Sequence, residues 1–218
     1  MYKKFIRKCR QYLYKIKCLV LRKKIDGYDK IDGWLALEEA VALYQIALKL
    51  PPSSTVVEIG SWKGKSTYCI AKGLDSGDVL YAIDPFQSSE KMNDECAAEY
   101  NILPQKNIIN DFRMNMSSFD SLNIVYPKIG FSHDFVDEIP VIDFLFIDGD
   151  HSIEGCDYDY TNYAPKIKKG GYLAFHDYNA SVKDQGPTLV VHNKVLPSGE
   201  YSLVGIYGTL WIAQKNSF

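Results

Sequence analysis

Two hydrophobic periods alternate along the chain. Apolar residues three or four apart mark helices, and short continuous apolar runs mark buried strands. In "WLALEEAVALYQIALKL" (34–50), Leu37, Val41, Tyr44 and Leu48 share one helical face, and Pro51-Pro52 ends the segment. "TVVEIG" (55–60) predicts a buried strand, 64–73 a helix with Gly73 as its C-cap, and "DVLYAID" (78–84) a second strand. Residues 88–101 and about 106–118 read as helices, followed by a third strand, "NIVYPKI" (123–129). "VIDFLFID" (141–148) is apolar enough to predict a strand buried on both faces. A helix over 155–165, a strand "GYLAFHD" (171–177) and a helix near 187–195 follow. The closing runs "YSLVGI" and "TLWIAQ", joined by a short turn, predict an antiparallel hairpin. Strands alternating with helices predict an α/β fold, a doubly wound and mostly parallel sheet covered on both faces.

Charge divides the chain unevenly. Its 218 residues carry a net charge of −2, but residues 1–24 hold ten Lys/Arg and no acid, which leaves the rest at −12. We therefore divide the chain into a basic arm, 1–30, and a domain, 31–218. Within the arm Ile6, Cys9, Leu13, Ile16 and Val20 recur at helical spacing and predict an apolar stripe. A basic amphipathic helix fits a membrane surface or an acidic partner. Packing on its own domain or on a second copy of the chain fits equally, so a homo-oligomer is a candidate assembly. Nucleic acid is not expected as a partner, because the acidic body repels phosphates. The arm lacks the apolar core of a secretory signal. Cys9, Cys18, Cys69, Cys96 and Cys156 show no CxxC spacing. Together these predict a cytoplasmic protein, with the inner membrane face as the arm's candidate location.

Ligands of parallel sheets bind beyond the carboxyl ends of the strands. Four predicted strands put polar residues there: Glu58 to Gly60, Asp84, Asp148 to His151, and His176-Asp177. The loop "GSWKGKS" (60–66) is one residue too short for a phosphate-binding P-loop, and Glu58 before it opposes a triphosphate. A dinucleotide lacks its GxGxxG here. S-adenosylmethionine (SAM) carries a ribose, an amino-acid tail and a sulfonium but no phosphate, so a loop bearing Glu58 suits it. Gly60 and Gly64 would let backbone approach the amino-acid tail, and Asp84, followed by Pro85, would take the ribose hydroxyls.

The segments "GWLALEEAVALYQIA", "VVEIGSWKGKST", "YAIDPF", "DFLFIDGDHSIEG" and "KKGGYLAFHDY" together resemble the class I SAM-dependent methyltransferases. More narrowly, they resemble the subgroup of macrocin-type sugar O-methyltransferases. The resemblance runs from about Ile31 to Ala213 and implies the Rossmann-like class I methyltransferase fold. It implies donor contacts at Glu58, Gly60, Ser61, Trp62, Gly64, Ser66, Asp84, Pro85 and Asp148. "IGFS" (129–132) resembles the segment that brings Gly130 and Ser132 beside the adenine. Residues 86–105 depart from the pattern and are read as a lid over the acceptor.

The resemblance further implies a divalent cation, magnesium or manganese, on Asp148, His176 and Asp177. It implies His151 as the base that deprotonates an acceptor hydroxyl, with Asp150 orienting it or contacting the donor. The acceptor implied is a sugar or glycan, or another small molecule with a hydroxyl. A hydrogen-bonded cluster without metal is the plainer reading of the same residues. Two other functions stay open at this point. One is a donor-binding protein without turnover; the other is a metal-dependent oxygenase using two His and a carboxylate. His133 and His192 are expected to be ordinary histidines, and "DYDYTNY" (157–163) a helix face.

Overall fold

The computed structural model describes residues 2–87, 107–182 and 184–217. The helix expected over 88–101 and most of the 86–105 lid segment lie outside the described residues. The strands are β1 (Thr55–Ile59), β2 (Val79–Asp84), β3 (Val125–Ile129), β4 (Ile142–Ile147), β5 (Ile167–Phe175), β6 (Tyr201–Tyr207) and β7 (Leu210–Lys215). They form one sheet in the order β3-β2-β1-β4-β5-β7-β6. The first five pair in parallel, and β7 runs antiparallel to both β5 and β6, as the predicted hairpin requires. From β1 the chain moves outward through β2 and β3, then returns to place β4 on the other side of β1. That reversal opens a crevice at the strand ends.

Six α-helices bear on the argument: α1 (Tyr2–Leu21), α2 (Leu37–Ala47), α3 (Lys65–Ala71), α4 (Ile108–Met116), α5 (Ile153–Tyr163) and α6 (Gly186–Val190). The sheet separates two apolar layers. In β4 the period of two sends Phe144 and Phe146 to the layer of α2, α3 and α4, and Leu145 and Ile147 to the layer of α5 and α6. This is why that strand reads as apolar toward both faces. The one polar residue inside it, Asp143, is 4% exposed. It accepts from Thr55 N and from Lys168 Nζ at 2.8–2.9 Å, tying β1, β4 and β5 together near their amino ends.

Three expectations about the helices need correction. Helix α2 starts at Leu37 rather than Trp34, because the Glu39 carboxylate turns back to accept from Ala36 N at 2.7 Å. Leu48, assigned to the buried face, follows the helix end and is 60% exposed. Gly73 does not cap α3 in a left-handed turn. A Cβ there would sit 2.6 Å from Tyr44 O, so this glycine lets α3 and α2 approach closely.

The arm's apolar stripe also differs from the buried face. Leu13, Ile16 and Val20 are exposed. The side of α1 that packs on the domain carries Tyr14, Cys18 and Leu21 instead. Tyr14 packs its ring at a tilt against Tyr207 and donates its hydroxyl to Glu38 O. Periodicity located the helix, but two apolar sets lie on it and the smaller one is docked.

Candidate functional site

The parallel register builds the rim of the sheet. Just past β1, β3, β4 and β5 the next residue still donates its N–H to the neighbouring strand. Gly60 N bonds Ile83 O, Asp148 N bonds Ile59 O, His176 N bonds Ile147 O, and Gly130 N bonds Asp84 O, all at 2.8–3.1 Å. The ends of β2, β1, β4 and β5 thus step across one edge, and the polar residues beyond them share a cavity of ≈ 710 Å³.

At one end of this cavity lies the 60–66 loop. Gly60 has φ +88°, and a Cβ on it would meet Asp148 O at 2.0 Å, so only glycine fits between β1 and β4. Trp62 holds φ +42°, unusual for a bulky side chain. Its N–H donates to Asp84 Oδ2 at 2.8 Å, while Asp84 Oδ1 accepts from Phe86 N at 2.6 Å. Asp84 therefore fixes the loop and still has acceptor capacity facing the cavity. Burial nevertheless raises its pKa.

Glu58 sits beneath the loop rather than in the cavity. It is fully buried and accepts from Ser61 Oγ at 3.0 Å and from Thr67 Oγ1. Burial pushes its pKa from 4.5 to about 7, against the pull of Ser66, Thr67 and Ser61. Gly64 also lies off the cavity wall. With φ +87° it starts α3, packed against Phe112 and Met116. Gly60, Ser61, Trp62, Ser66, Asp84, Pro85, Gly130, Ser132 and Asp148 line the cavity.

The other end gathers side chains that titrate. His176 Nδ1 is 3.1 Å from Asp148 Oδ1 and 3.1 Å from Asp177 Oδ2. Its Nε2 is 3.4 Å from Glu39 Oε2. Burial disfavours the charged ring, but the carboxylates of Asp148, Asp177 and Glu39 outweigh it and hold the pKa far above the imidazole range. Asp177 sits at φ +54°, which an Asp tolerates, and that turn presents its carboxylate to both imidazoles. Its own pKa falls: burial raises it, but bonding to His176 and the His151 ring prevail.

His151 Nε2 is 3.3 Å from Asp177 Oδ2 and 3.7 Å from Asp148 Oδ1. The Asp150 carboxylate accepts from Ser152 N at 2.8 Å and shapes the turn into α5. Ligand atoms from Asp148, His151 and Asp177 all lie within 4.8 Å of one another, a donor set that fits a divalent cation. His176 is not in that group; it touches the same two carboxylates from the buried side.

Several residues that line the cavity or stand behind it escaped the sequence reading. Glu39, the back partner of His176, was read only as part of a helix. Its Oε1 also accepts from Thr209 N and Oγ1, so it locks α2 and the β6–β7 turn to the rim. Gly33, Trp34 and Leu35 form one wall, with Trp34 stacked on Trp62 at 5.2 Å and Lys65 Nζ bonded to Gly33 O. Tyr158 and Asp159 line the far end beside Ser132. Burial pushes the Asp159 pKa to about 7, against the pull of the Ser132 hydroxyl. The 157–163 segment is thus a helix face that also supplies cavity wall. His133, expected to be ordinary, stacks on Phe131 at the cavity edge, whereas His192 pairs with the Tyr178 hydroxyl. The sheet is not the β-barrel on which a His/carboxylate iron oxygenase usually rests.

A family model described as a methyltransferase domain matches residues 57–178. The solved structure of the O-methyltransferase NovP is 18% identical with a TM-score of 0.61, covering 83% of this chain and 81% of that one. The O-methyltransferase TomG from Streptomyces achromogenes, involved in tomaymycin synthesis and solved with SAM, is 14% identical. It covers 84% and 82% at a TM-score of 0.58. An O-methyltransferase from Bacillus cereus, solved with SAH, is 15% identical and covers 94% and 96%, also at 0.58.

Proposed function

The chain belongs to the methyltransferase-domain family matched over residues 57–178, and from that premise we propose that it moves a methyl group from SAM to a hydroxyl of a sugar or glycan. The observation that carries this reading is one cavity with two unlike ends, a glycine loop with Asp84 and a cluster of carboxylates with imidazoles. The Gly60–Ser61 backbone takes the amino-acid tail of the donor. Asp84 takes the ribose hydroxyls, and Gly130 and Ser132 flank the adenine with Asp159 behind them. Donor sulfur and methyl then lie toward Asp148.

Asp148 and Asp177 would hold a divalent cation together with an imidazole. When bound, such an ion lowers the pKa of an acceptor hydroxyl and fixes its oxygen. His151 Nε2 takes the hydroxyl proton, and Asp177 stabilises the imidazolium that results. As the acceptor oxygen bonds to the methyl carbon, the carbon–sulfur bond breaks and its electron pair stays on sulfur, leaving S-adenosylhomocysteine. His176, backed by Glu39, is the proposed third ligand, with His151 in the role of base. The set with His151 as ligand competes with that assignment.

Incubation with labelled SAM, a panel of glycan acceptors and magnesium or manganese tests the reading. Methylated product lost in His151→Ala supports it. Product at full rate in that variant removes the base assignment, and no product from any hydroxyl acceptor rejects the function. Manganese binding retained in His151→Ala but lost in His176→Ala supports His176 as the ligand, and the reverse transfers that role.

A further inference from the structure

Helix α1 carries apolar side chains on two opposite sides, and the domain covers only one. Tyr14, Cys18 and Leu21 pack inward. Tyr12, Leu13, Ile16, Leu19 and Val20 are 45–68% exposed. At 3.6 residues per turn these five fall within an arc of about 120°, opposite the docked side. Lys15 and Lys17 stand on the two flanks of that arc, and Lys23 and Lys24 follow just beyond the helix, all exposed. The nearest acids lie outside the helix: Asp26 follows two residues after Lys24. Glu38 lies 3.9 Å from Lys15, and Asp29 pairs with Arg22.

We propose that this outward face of α1 docks the protein on an anionic lipid bilayer, with the helix lying in the plane of the interface. An apolar arc edged by lysines on both sides buries its centre among acyl chains while its flanks reach the headgroup phosphates. Among the described residues no helix is long and apolar enough to cross a membrane, which fits in-plane binding. Charge selects lipid over a second copy of this chain. A two-fold contact through this face would set Lys15, Lys17, Lys23 and Lys24 against their own copies, with no acid in residues 1–24 to offset them. The same balance orients the bound molecule, because the body at −12 is repelled from the surface that attracts the arm. Docking of Tyr14, Cys18 and Leu21 makes the helix part of the domain, so the tether is rigid from about Tyr14 onward.

Flotation of the full chain with phosphatidylcholine vesicles, with and without phosphatidylglycerol, tests the proposal. Binding is expected only with phosphatidylglycerol and is expected to fall with added salt. Leu13→Glu with Ile16→Glu should abolish it while the thermal melt and S-adenosylhomocysteine binding stay unchanged, since both side chains are exposed. Lys15→Gln with Lys17→Gln should weaken it roughly 30-fold. Failure to bind phosphatidylglycerol vesicles, or binding that survives the double glutamate variant, overturns the proposal. So does a dimer in light scattering that the glutamate pair dissociates, because a second copy would then cover the face.

Discussion

The two ends of the cavity are built from different materials. At the 60–66 end the groups offered to a ligand are mostly main chain, set by glycines and by Asp84 bonding to Trp62 N and Phe86 N. At the 148–177 end they are ionisable side chains within 3.1–3.7 Å of one another. A backbone cradle binds and cannot exchange protons near neutral pH. A cluster of two carboxylates and two imidazoles can hold a cation and exchange protons, and its pKa values are set by the pairing of those charges. Donor binding and methyl transfer should therefore separate under mutation.

The largest expected effect breaks turnover alone. Asp148→Asn should lower kcat about 10³-fold, on the order of 4 kcal/mol of transition-state stabilisation, while affinity for S-adenosylhomocysteine changes by less than about tenfold. Rate assays beside calorimetry check this. Equal losses in both would erase the distinction between the ends.

Gly60→Ala is the converse. Its Cβ would overlap Asp148 O at 2.0 Å in a left-handed backbone. We expect donor affinity to fall at least about 100-fold and stability to fall roughly 3 kcal/mol. Wild-type affinity in this variant would mean the loop does not seat the donor.

Glu58 sharpens the comparison through pH. Below about pH 4.5 folded and unfolded chains both hold its proton. Between about 4.5 and 7 the folded chain keeps a proton that the unfolded chain has released. Stability therefore falls as pH rises through that window, by on the order of 3 kcal/mol for a shift of this size. In Glu58→Gln the fall should shrink but not vanish, because Asp159, raised to about 7, and the buried Asp84 keep a slope of the same sign. Urea midpoints at about pH 5 and about pH 8 measure it; an unchanged slope would refute the assignment.

Glu39→Gln is the mildest test of the other end. It keeps shape but weakens the charge behind His176, so we expect about 1–2 kcal/mol of lost stability and an altered pH–rate profile. An unaltered profile with the same stability loss would make Glu39 structural only.

The same contrast explains what the sequence made legible. The loop was readable because its constraints are local. Gly60, Trp62 and Gly64 lie within five positions, and Asp84 ends the next strand. Asp148 and His176-Asp177 were readable because polar residues ending apolar strands meet at a sheet edge. Glu39 was not, since 137 residues separate it from His176 and a Glu beside Glu38 in the first turn of a helix looks like a solvated one. Asp159 was hidden for a similar reason. Its segment alternates Asp and Tyr, and only the turn at Asp150 and Ser152 decides which of them face the cavity. Glu58 was placed at the right loop but on the wrong side of it, because strand alternation, not proximity, directs its side chain beneath. On α1 the period predicted a helix but could not say which of two apolar sides meets the domain.

Calorimetry of the wild-type chain with S-adenosylhomocysteine, ATP and NAD, each with and without magnesium or manganese, tests the central claim most directly. The account predicts micromolar binding of S-adenosylhomocysteine that persists without metal, and no measurable binding of ATP or NAD. Binding of ATP or NAD in preference to S-adenosylhomocysteine would contradict it.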